Sequence, residues 1–528
     1  MPRPVYIAGV GLTKVDLTGR VFASIFDLFA QAFADALQDS RVRSFDAVQI
    51  GIMDSEEFEN RANIAAKVVD RLGLRGVPAV RSETASSTGA AAFHEGFYKI
   101  ASGQCESVLV LAGERMKTVT TEVATAIMSK TVDPEERRFG FTMPGLIALV
   151  TQAWLGRRGI GREEARAILA RLMRRAHALG AENPLAAFYG KPEPLAAYYD
   201  ASHNLPVATP LTRKDCSPIC DGAAAIILTA RPDALRVAGL GSATESSSVL
   251  DRAALDHLDA TRQAARVAYY RAGIRDPGRL AGLVVEAHDA FNSLLPIDLA
   301  DLGLFPEEEV VEALIGDPKT EPGDPLSHPA TGVAGRVPTN LSGGLKARGH
   351  PVGGTGLFQI GECALQLLDR FPSPRAQVRG ASIGIAHSIG GPGNNVYVTV
   401  VERSDTLRLP EAVPEPRLHF EAIPPRPAPD LSQLDGAHAV VEAATTIHVT
   451  AEGQPGPIHV AVVDLDGTRV FARLDPEEGL DEPPEEVLAG QRVRLLVKDD
   501  GDHYFQVDRD AERSGLGALL ARVRAVLS

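Results

Sequence analysis

The sequence has few cysteines and few aromatic residues for its length. Four cysteines and one tryptophan occur among 528 residues, and aromatic residues make up 5%. Thiols this sparse do not form a disulfide framework, and no second pair accompanies Cys216 and Cys220, as a zinc ribbon would require. We therefore expect a protein of a reducing compartment, the cytoplasm, without a bound metal.

Basic charge is also scarce, because 54 Lys and Arg face 68 Asp and Glu, for a net charge of -14. Nucleic-acid-binding proteins normally carry a basic face, so we expect no nucleic-acid partner. No run approaches the roughly 20 apolar residues of a membrane helix. The N-terminus enters a strand-like run at once, without the regions of a signal peptide. We predict neither a membrane span nor export by that route.

Short apolar runs alternate with longer segments of helical periodicity. The runs cover 5–10, 47–50, 108–112 and 223–228, and the helical segments include 22–37 and 90–101. Alternation of this kind is typical of α/β folds, and runs with so few polar residues indicate strands covered on both faces.

A weak internal repeat indicates two similarly folded halves. IAGVG at 7–11 returns as VAGLG at 237–241, and the turn SSTGAAAF at 86–93 has a counterpart in GGTGLFQ at 353–359. Chance likeness of glycine-rich turns is the alternative. We predict halves at about 1–232 and 233–403 that share one core.

The C-terminal part has a different composition. Seven prolines between 410 and 429 predict an extended linker over 404–430. Beyond it, strand-like runs at 438–450, 457–474 and 491–507, with Asp-Gly turns at 466–467 and 500–501, predict a small β-barrel over 431–528. An amphipathic helix at 515–527 is expected to cover the barrel.

The most informative string is NLSGGLKARGHPVGGTG at 340–356, in which His350 lies between a glycine and a proline ahead of a helix. Glycines allow a ligand to approach the backbone closely, and a helix N-terminus favours an anion or oxyanion. A histidine in such a loop can equally be structural. Gly349, Gly353 and Gly354 are the candidate substrate-binding positions of this loop.

This string resembles the histidine region of the thiolase superfamily. SETASSTGAAAF at 82–93 is similar to that family's nucleophile turn, HDAF at 288–291 to its HDCF box, and AHSIGG at 386–391 to its C-terminal glycine loop. GERM at 113–116 and DCSPICDGAAAIIL at 215–228 resemble archaeal and sterol-carrier-type members. The resemblance covers about 1–403 and implies a duplicated α/β thiolase fold with five layers, αβαβα.

The sequence departs from the family pattern where bonds are made. The resemblance places the nucleophilic cysteine at Ser86, and the second family cysteine at Ala290 or Ser388. A thiol near pKa ~8.5 is easily ionised by a helix N-terminus and a histidine, whereas a serine needs a general base at the moment of attack. His350 is the candidate base. We therefore predict that thiolysis is absent.

The polar groups that remain resemble those that hold a thioester carbonyl oxygen. His288, His350 and His387 are the candidate donors, with Ser86 and Ser388 at the former cysteine positions and Phe291 as a candidate substrate contact. Such donors polarise a carbonyl without a covalent step. Asp289 looks structural in the family, although it could orient His288 or act as a base. Cys216 and Cys220 are interpreted as small buried apolar residues.

The resemblance implies a thiolase-like protein that binds acyl or lipid groups, CoA thioesters included, with no cofactor. A non-covalent retro-aldol reaction on a β-hydroxyacyl-CoA, an acyltransferase that uses Ser86, and a non-catalytic scaffold are the alternatives. The barrel resembles OB-fold partners of thiolase-like proteins, but 404–528 contain no cysteine for a zinc ribbon. Thiolases imply a homodimer, whereas the fused barrel leaves a monomer open.

Overall fold

The computed structural model of the chain describes residues 3–317, 320, 322–406, 411–416, 434–450, 456–475, 489–498 and 502–507. The Asp500-Gly501 turn, the helix predicted at 515–527 and most of the predicted linker lie outside these residues. None of the helices in these ranges combines the length and the hydrophobicity that a membrane-spanning helix needs.

The described residues contain sixteen strands. Their bounds are β1 Tyr6–Leu12, β2 Ala47–Gly51, β3 Ala79–Ser82, β4 Ser107–Arg115, β5 Pro206–Ala208, β6 Leu211–Thr212, β7 Asp221–Thr229, β8 Leu235–Thr244, β9 Leu283–Glu286, β10 Ile383–Gly390, β11 Asn395–Arg403, β12 His438–Ile447, β13 Ile458–Leu465, β14 Thr468–Leu474, β15 Arg492–Val497 and β16 His503–Val507. The apolar runs at 5–10, 47–50, 108–112 and 223–228 overlap β1, β2, β4 and β7, and the three runs beyond the predicted linker overlap the five strands β12 to β16.

Fourteen α-helices accompany them in the described part. Their bounds are α1 Ile25–Asp39, α2 Ser55–Glu59, α3 Ile64–Arg71, α4 Thr88–Ala101, α5 Thr121–Ser129, α6 Pro134–Arg138, α7 Met143–Arg157, α8 Arg162–Gly180, α9 Ala196–Tyr199, α10 Asp259–Ala272, α11 Leu294–Asp301, α12 Val310–Ile315, α13 Gly344–Ala347 and α14 Thr355–Leu367. The two helices predicted from periodicity are α1 and α4.

The two halves meet in one run of hydrogen-bonded strands with the order β3-β2-β4-β7-β1-β8-β11-β10-β9. The strands β2, β3 and β4 are parallel, as are β9 and β10, and β1 pairs with β8 antiparallel at the junction. Helices α1 and α10 pack on the outer faces, while α4 and α14 pack on the inner faces and against each other. The layers are therefore αβαβα, as the resemblance implies.

The repeated glycines explain how the outer helices pack. A Cβ at Gly9 or Gly11 would overlap the carbonyl oxygens of α1, and a Cβ at Gly239 or Gly241 would overlap those of α10. Both outer helices therefore lie directly on the glycines of a strand, which supports the internal repeat.

The central helices α4 and α14 also cross at glycines. A Cβ at Gly89 would lie 2.7 Å from the backbone nitrogen of Leu357, and a Cβ at Gly356 would lie 2.5 Å from that of Ala90. This crossing lies in the largest apolar cluster of the core. It brings the N-termini of the two central helices close together.

The C-terminal strands form a closed five-stranded barrel in the order β12-β13-β14-β16-β15, because β12 pairs with both β13 and β15. Asp466 and Gly467 have φ values of 49° and 90° and connect β13 to β14 as a two-residue turn, as predicted. The hairpin of β5 and β6 extends the barrel sheet through a pair between Ala208 and Ile447.

The barrel packs on the N-terminal half through aromatic side chains. The Phe471 ring lies 5.6 Å from that of Phe139 and 5.0 Å from that of Phe141, between ring centroids. Arg138 forms an ion pair of 2.7 Å with Asp502 at the edge of this contact. The last residues of β12 and the loop after it reach the cavity described next.

Candidate functional site

A cavity of about 1010 Å³ lies where the two halves and the barrel meet. Ser86, His288 and His350 all line it, so the structure brings together three of the five predicted catalytic positions. His448 and Val449, which follow β12, line the same cavity from the barrel. Its apolar lining includes Met116, Met128, Met143, Ile147, Phe291 and Leu294. The volume suits a ligand of the size of a small molecule or cofactor.

A tight turn positions Ser86 just before α4. Ala85 has a φ of 54°, which is uncommon for a residue with a side chain and must be held by its surroundings. The Thr88 hydroxyl holds it, since it accepts the Thr84 N–H at 2.8 Å and donates to the Ala85 carbonyl at 2.6 Å. Ser87 donates to the Thr84 carbonyl at 2.8 Å. The turn thus leaves Ser86 at the cavity, next to a helix N-terminus.

His350 and His288 lie edge to face, with ring centroids 5.3 Å apart and an angle of 89° between the planes. The His350 backbone N–H donates to Cys220 Sγ at 3.1 Å, and its Nδ1 lies 2.7 Å from the Thr355 hydroxyl. Burial lowers the pKa of His350 to about 3 and, with the nearby His350, brings the pKa of His288 well below its usual value. Both imidazoles are therefore neutral at pH 7.

A neutral imidazole offers one donor and one acceptor. With the Thr355 hydrogen directed at Nδ1, the second ring nitrogen of His350 carries the proton and can donate to a carbonyl oxygen. With that hydrogen directed at the Pro351 carbonyl, 3.3 Å from the hydroxyl, Nδ1 carries the proton and the other nitrogen is a base. Thr355 thus decides which chemistry His350 offers.

His288 is fixed by the residues on either side of it. The Asn340 side chain accepts the Ala287 N–H at 2.7 Å and donates to the Ala287 carbonyl at 3.1 Å. Asp289 accepts the Leu345 N–H at 2.6 Å, so its carboxylate ties the strand end to α13. This geometry agrees with the structural role that the resemblance implies for Asp289.

His387 and Ser388 lie on β10 and do not line the cavity. His387 Nε2 lies 3.1 Å from the Thr261 hydroxyl, its Nδ1 lies 3.8 Å from Asp298, and burial lowers its pKa to about 3. Ser388 is buried, and its hydroxyl has no hydrogen-bond partner within the described ranges. Catalytic roles for these two residues stay predictions.

The three candidate glycines pack against other segments of the protein. A Cβ at Gly349, whose φ is 115°, would lie 2.5 Å from the Val15 side chain, and one at Gly354 would lie 3.0 Å from Gly113. Gly353 lies against Glu114, whose carboxylate accepts the Gly353 N–H at 3.2 Å. A role in substrate binding stays a prediction for all three. Phe291, by contrast, lines the cavity.

The same cavity corrects the interpretation of Cys216. Cys220 is fully buried as expected, but Cys216 is only half-buried and lines the cavity. Its Sγ donates to the Thr212 carbonyl at 3.5 Å, and burial raises the pKa of its thiol to about 12. Cys216 is therefore a neutral thiol at pH 7. Its segment runs antiparallel to Phe291, which brings it to the cavity.

Sequence reasoning also missed the positive charge around the cavity. Four basic side chains and one carboxylate line it, namely Lys117, Arg213, Lys214, Lys346 and Glu193. This balance is opposite in sign to that of the whole chain, whose net charge is -14. The four basic residues come from three distant parts of the sequence, so no cluster was visible in it. The cavity therefore favours an anionic ligand.

A second missed residue is Glu114, in the segment GERM. Its buried carboxylate accepts the N–H groups of Met53 at 2.8 Å and Gly353 at 3.2 Å, and burial raises its pKa to about 8. It joins the loop after β2 to the loop that follows His350. No group of three or more metal-ligating side chains occurs in the described part of the chain.

The fold and the cavity define a thiolase-like protein with a fused barrel. Residues 5–178 match the family described as thiolase, N-terminal domain, and residues 241–403 match the one described as thiolase C-terminal domain-like. An acetyl-CoA acetyltransferase of Methanothermobacter thermautotrophicus is 33% identical over 412 residues, which cover 76% of this chain and 100% of that protein. The chain belongs to the thiolase family.

Two further comparisons agree with the architecture. Sterol carrier protein 2 of Oryctolagus cuniculus is 28% identical over 81% of this chain and 77% of its own length. The crystal structure of a monomeric SCP2-thiolase like protein type 1 from Mycobacterium smegmatis superposes with a TM-score of 0.68 at 17% identity. That match covers 96% of this chain and 99% of the other, so the fold extends over the barrel as well.

Proposed function

We propose that the chain binds an acyl or lipid group as a CoA thioester in this cavity and does not carry out thiolysis. The observation that carries the proposal is the meeting of Ser86, His288 and His350 at one largely apolar cavity of about 1010 Å³. Names of relatives support it, because acetyl-CoA acetyltransferase and sterol carrier protein 2 refer to acyl-CoA and lipid ligands.

The charges of the lining agree with a CoA thioester. Arg213 is exposed and Lys117 is partly exposed, so these two cations lie at the open side of the cavity, whereas Lys214 is paired with Glu193 at 2.7 Å. Phosphates of CoA would interact there with cations that remain hydrated, while the thioester reaches the two neutral histidines. A neutral His350 whose Nδ1 accepts from Thr355 can donate to the thioester oxygen.

Absence of thiolysis follows from the chemistry of Ser86. A hydroxyl remains protonated at pH 7 and attacks a thioester only when a base removes its proton. The second family cysteine has no thiol substitute either, because Ala290 lines the cavity in its place and Ser388 is buried. The only thiol among the described cavity residues, Cys216, is neutral.

The first test is calorimetric titration with CoA, acetyl-CoA and a long-chain acyl-CoA, followed by a thiolysis assay with acetoacetyl-CoA. We expect binding of the thioesters without thiolysis. Rapid thiolysis by the unaltered protein would contradict the proposal, and no binding of any thioester would favour a scaffold.

The Ser86→Cys variant tests the reason for the missing activity. A thiol at the start of α4 is ionised more easily than a hydroxyl, so we expect it to attack acetyl-CoA, release CoA and keep the acetyl group. Mass spectrometry of the protein would detect the adduct. Ser87→Cys is the matched control, because Ser87 is fully buried and outside the cavity lining. An equal adduct on both variants, or an acyl-serine on the unaltered protein, would overturn this explanation.

A further inference from the structure

Lys346 is an unusual member of the cavity lining. It lies on the short helix α13, four residues before His350, and only 5% of it is exposed. Lysine is rarely buried to this degree unless its charge is paired, because an ammonium group loses its hydration. The buried ammonium group of Lys346 therefore needs partners that compensate for its lost hydration.

The described protein groups compensate for only part of that lost hydration. Lys346 Nζ donates to the Cys216 carbonyl at 2.8 Å and lies 5.9 Å from the centre of the Phe188 ring. Over the ranges that the structure describes, no carboxylate oxygen lies within 4.0 Å of Nζ. An ammonium group has three hydrogens to donate, and one hydrogen bond to a neutral carbonyl uses one of them.

The nearest acidic residues are already engaged with other groups. Glu193 pairs with Lys214 at 2.7 Å. Asp215 is fully buried, and its carboxylate accepts from the Tyr198 hydroxyl at 2.7 Å and from Thr212 at 2.7 and 2.8 Å. Asp215 therefore moderates the charge of Lys346 from a distance without binding it.

Burial lowers the pKa of Lys346 to about 8, with the carboxylate of Asp215 acting in the opposite direction. The amine therefore still carries its proton at pH 7. A positive charge directed into a cavity, with unused donors and no carboxylate within 4.0 Å among the described residues, is suited to an anion that arrives with the ligand.

We propose that Lys346 binds an anionic oxygen group of the ligand, and that this group is a carboxylate on the acyl part of the thioester. The inference rests on the proposed function and names the class of acyl group: an acyl chain that carries a second, ionised carboxyl. Phosphates of CoA are the other source of anionic oxygen. The depth of Lys346 favours the acyl carboxylate, since the more exposed Lys117 and Arg213 are available to the phosphates.

The experiment compares two series of CoA thioesters by calorimetry. One series carries a terminal carboxylate (succinyl-, glutaryl- and adipoyl-CoA), and the other is uncharged and of equal length (butyryl-, valeryl- and hexanoyl-CoA). We expect at least one carboxylated thioester to bind about tenfold or more tightly than its uncharged counterpart, as for one hydrogen bond between charged groups.

The variants Lys346→Met and Lys346→Arg identify the residue responsible. Lys346→Met should remove the preference for the carboxylated series, and Lys346→Arg should keep part of it. Lys214→Met is the matched control, because this lysine lines the same cavity but is paired with Glu193. Without ligand, Lys346→Met should melt at the same or a higher temperature, since a buried unpaired charge is costly.

The other outcomes would contradict either the role of Lys346 alone or the proposed function as well. Equal binding of both series to the unaltered protein would overturn the assignment of Lys346 and leave the proposed function standing. Weaker binding of CoA itself to Lys346→Met, with equal loss for every thioester, would assign Lys346 to a phosphate and overturn the acyl carboxylate. Failure of every thioester and of CoA to bind would overturn the proposed function together with this inference.

Discussion

The two halves begin their central helices with the same pair of residues and use it differently. In the first half, Thr88 and Gly89 open α4, and in the second half, Thr355 and Gly356 open α14. The glycines have the same role, since each lets one helix cross the backbone of the other. The threonines do not, because Thr88 closes the turn that holds Ser86, whereas Thr355 holds the imidazole of His350.

The difference separates what the fold requires from what the site requires. Backbone crossing needs no side chain at either glycine, so both halves keep one. A hydroxyl at the start of a helix can serve the backbone or a neighbouring side chain. Thr88 bonds backbone groups of its own turn, whereas Thr355 reaches both the Pro351 carbonyl and the His350 ring. One turn therefore presents a hydroxyl to the cavity and the other orients a base or donor.

The largest effect is expected at the helix crossing. Gly89→Ala and Gly356→Ala should each lower the free energy of unfolding by about 3 kcal/mol, because the new methyl group overlaps backbone that cannot move alone. Urea unfolding would measure both. Gly323→Ala is the control, since a Cβ there meets no atom within 4 Å. A large loss in only one half would show that the two crossings are not equivalent.

The threonines should give smaller and unequal effects. Thr88→Val leaves the Thr84 N–H and the Ala85 carbonyl without this partner and should cost about 2 kcal/mol of stability. Thr355→Val should cost about 1 kcal/mol and mainly weaken thioester binding, because His350 loses the group that fixes its proton. Unfolding and titration of both variants would test this. Equal loss of binding in both would contradict the division of roles.

The last comparison concerns two buried histidines, one in each half of the protein, whose effect depends on pH. Burial lowers the pKa of His94 on α4 to about 3, as it does for His350, but His94 bonds to Thr399 at 2.9 Å and does not line the cavity. A lowered folded-state pKa means that the unfolded chain binds more protons below pH ~6.5. Stability is then fully present above that pH and is lost as the pH falls towards 3.

Each of these histidines should contribute about 1.4 kcal/mol of that loss per pH unit below ~6.5. His94→Gln and His350→Gln should therefore reduce the acid sensitivity of unfolding by similar amounts between pH 6 and 5. Only His350→Gln should also weaken thioester binding at pH 7. An unchanged pH slope in either variant would show that the histidine is not buried in its neutral form.

Much of the fold could be predicted because it depends on local patterns. The repeated glycine strings mark the strands on which α1 and α10 pack, and the Asp466-Gly467 turn marks a hairpin of the barrel. Motif resemblance placed Ser86, His288 and His350 at one site. His387 and Ser388 share the motif of β10 but lie behind the cavity wall, which only the packing of that strand decides.

The rest of the site depends on contacts between distant segments. Lys346 and Lys214 line the same cavity only after both halves have packed, and neither lies in a long basic run of the sequence. Cys216 was interpreted as buried because its segment resembles a strand entry, yet its pairing with Phe291 brings the thiol to the cavity. The contribution of His448 from the barrel had no local signal.

The hairpin of β5 and β6 bears on the order of events during synthesis. Thr445 of the barrel donates to the carbonyl of Thr209, 236 positions earlier in the chain, and Ala208 pairs with Ile447. The hairpin therefore leaves the ribosome long before its partner strand exists, and its outer edge stays unpaired while the second half is made. The cavity is therefore completed late, after synthesis of the barrel. A chain that is arrested before the barrel is made would expose a strand edge to chaperones or to aggregation.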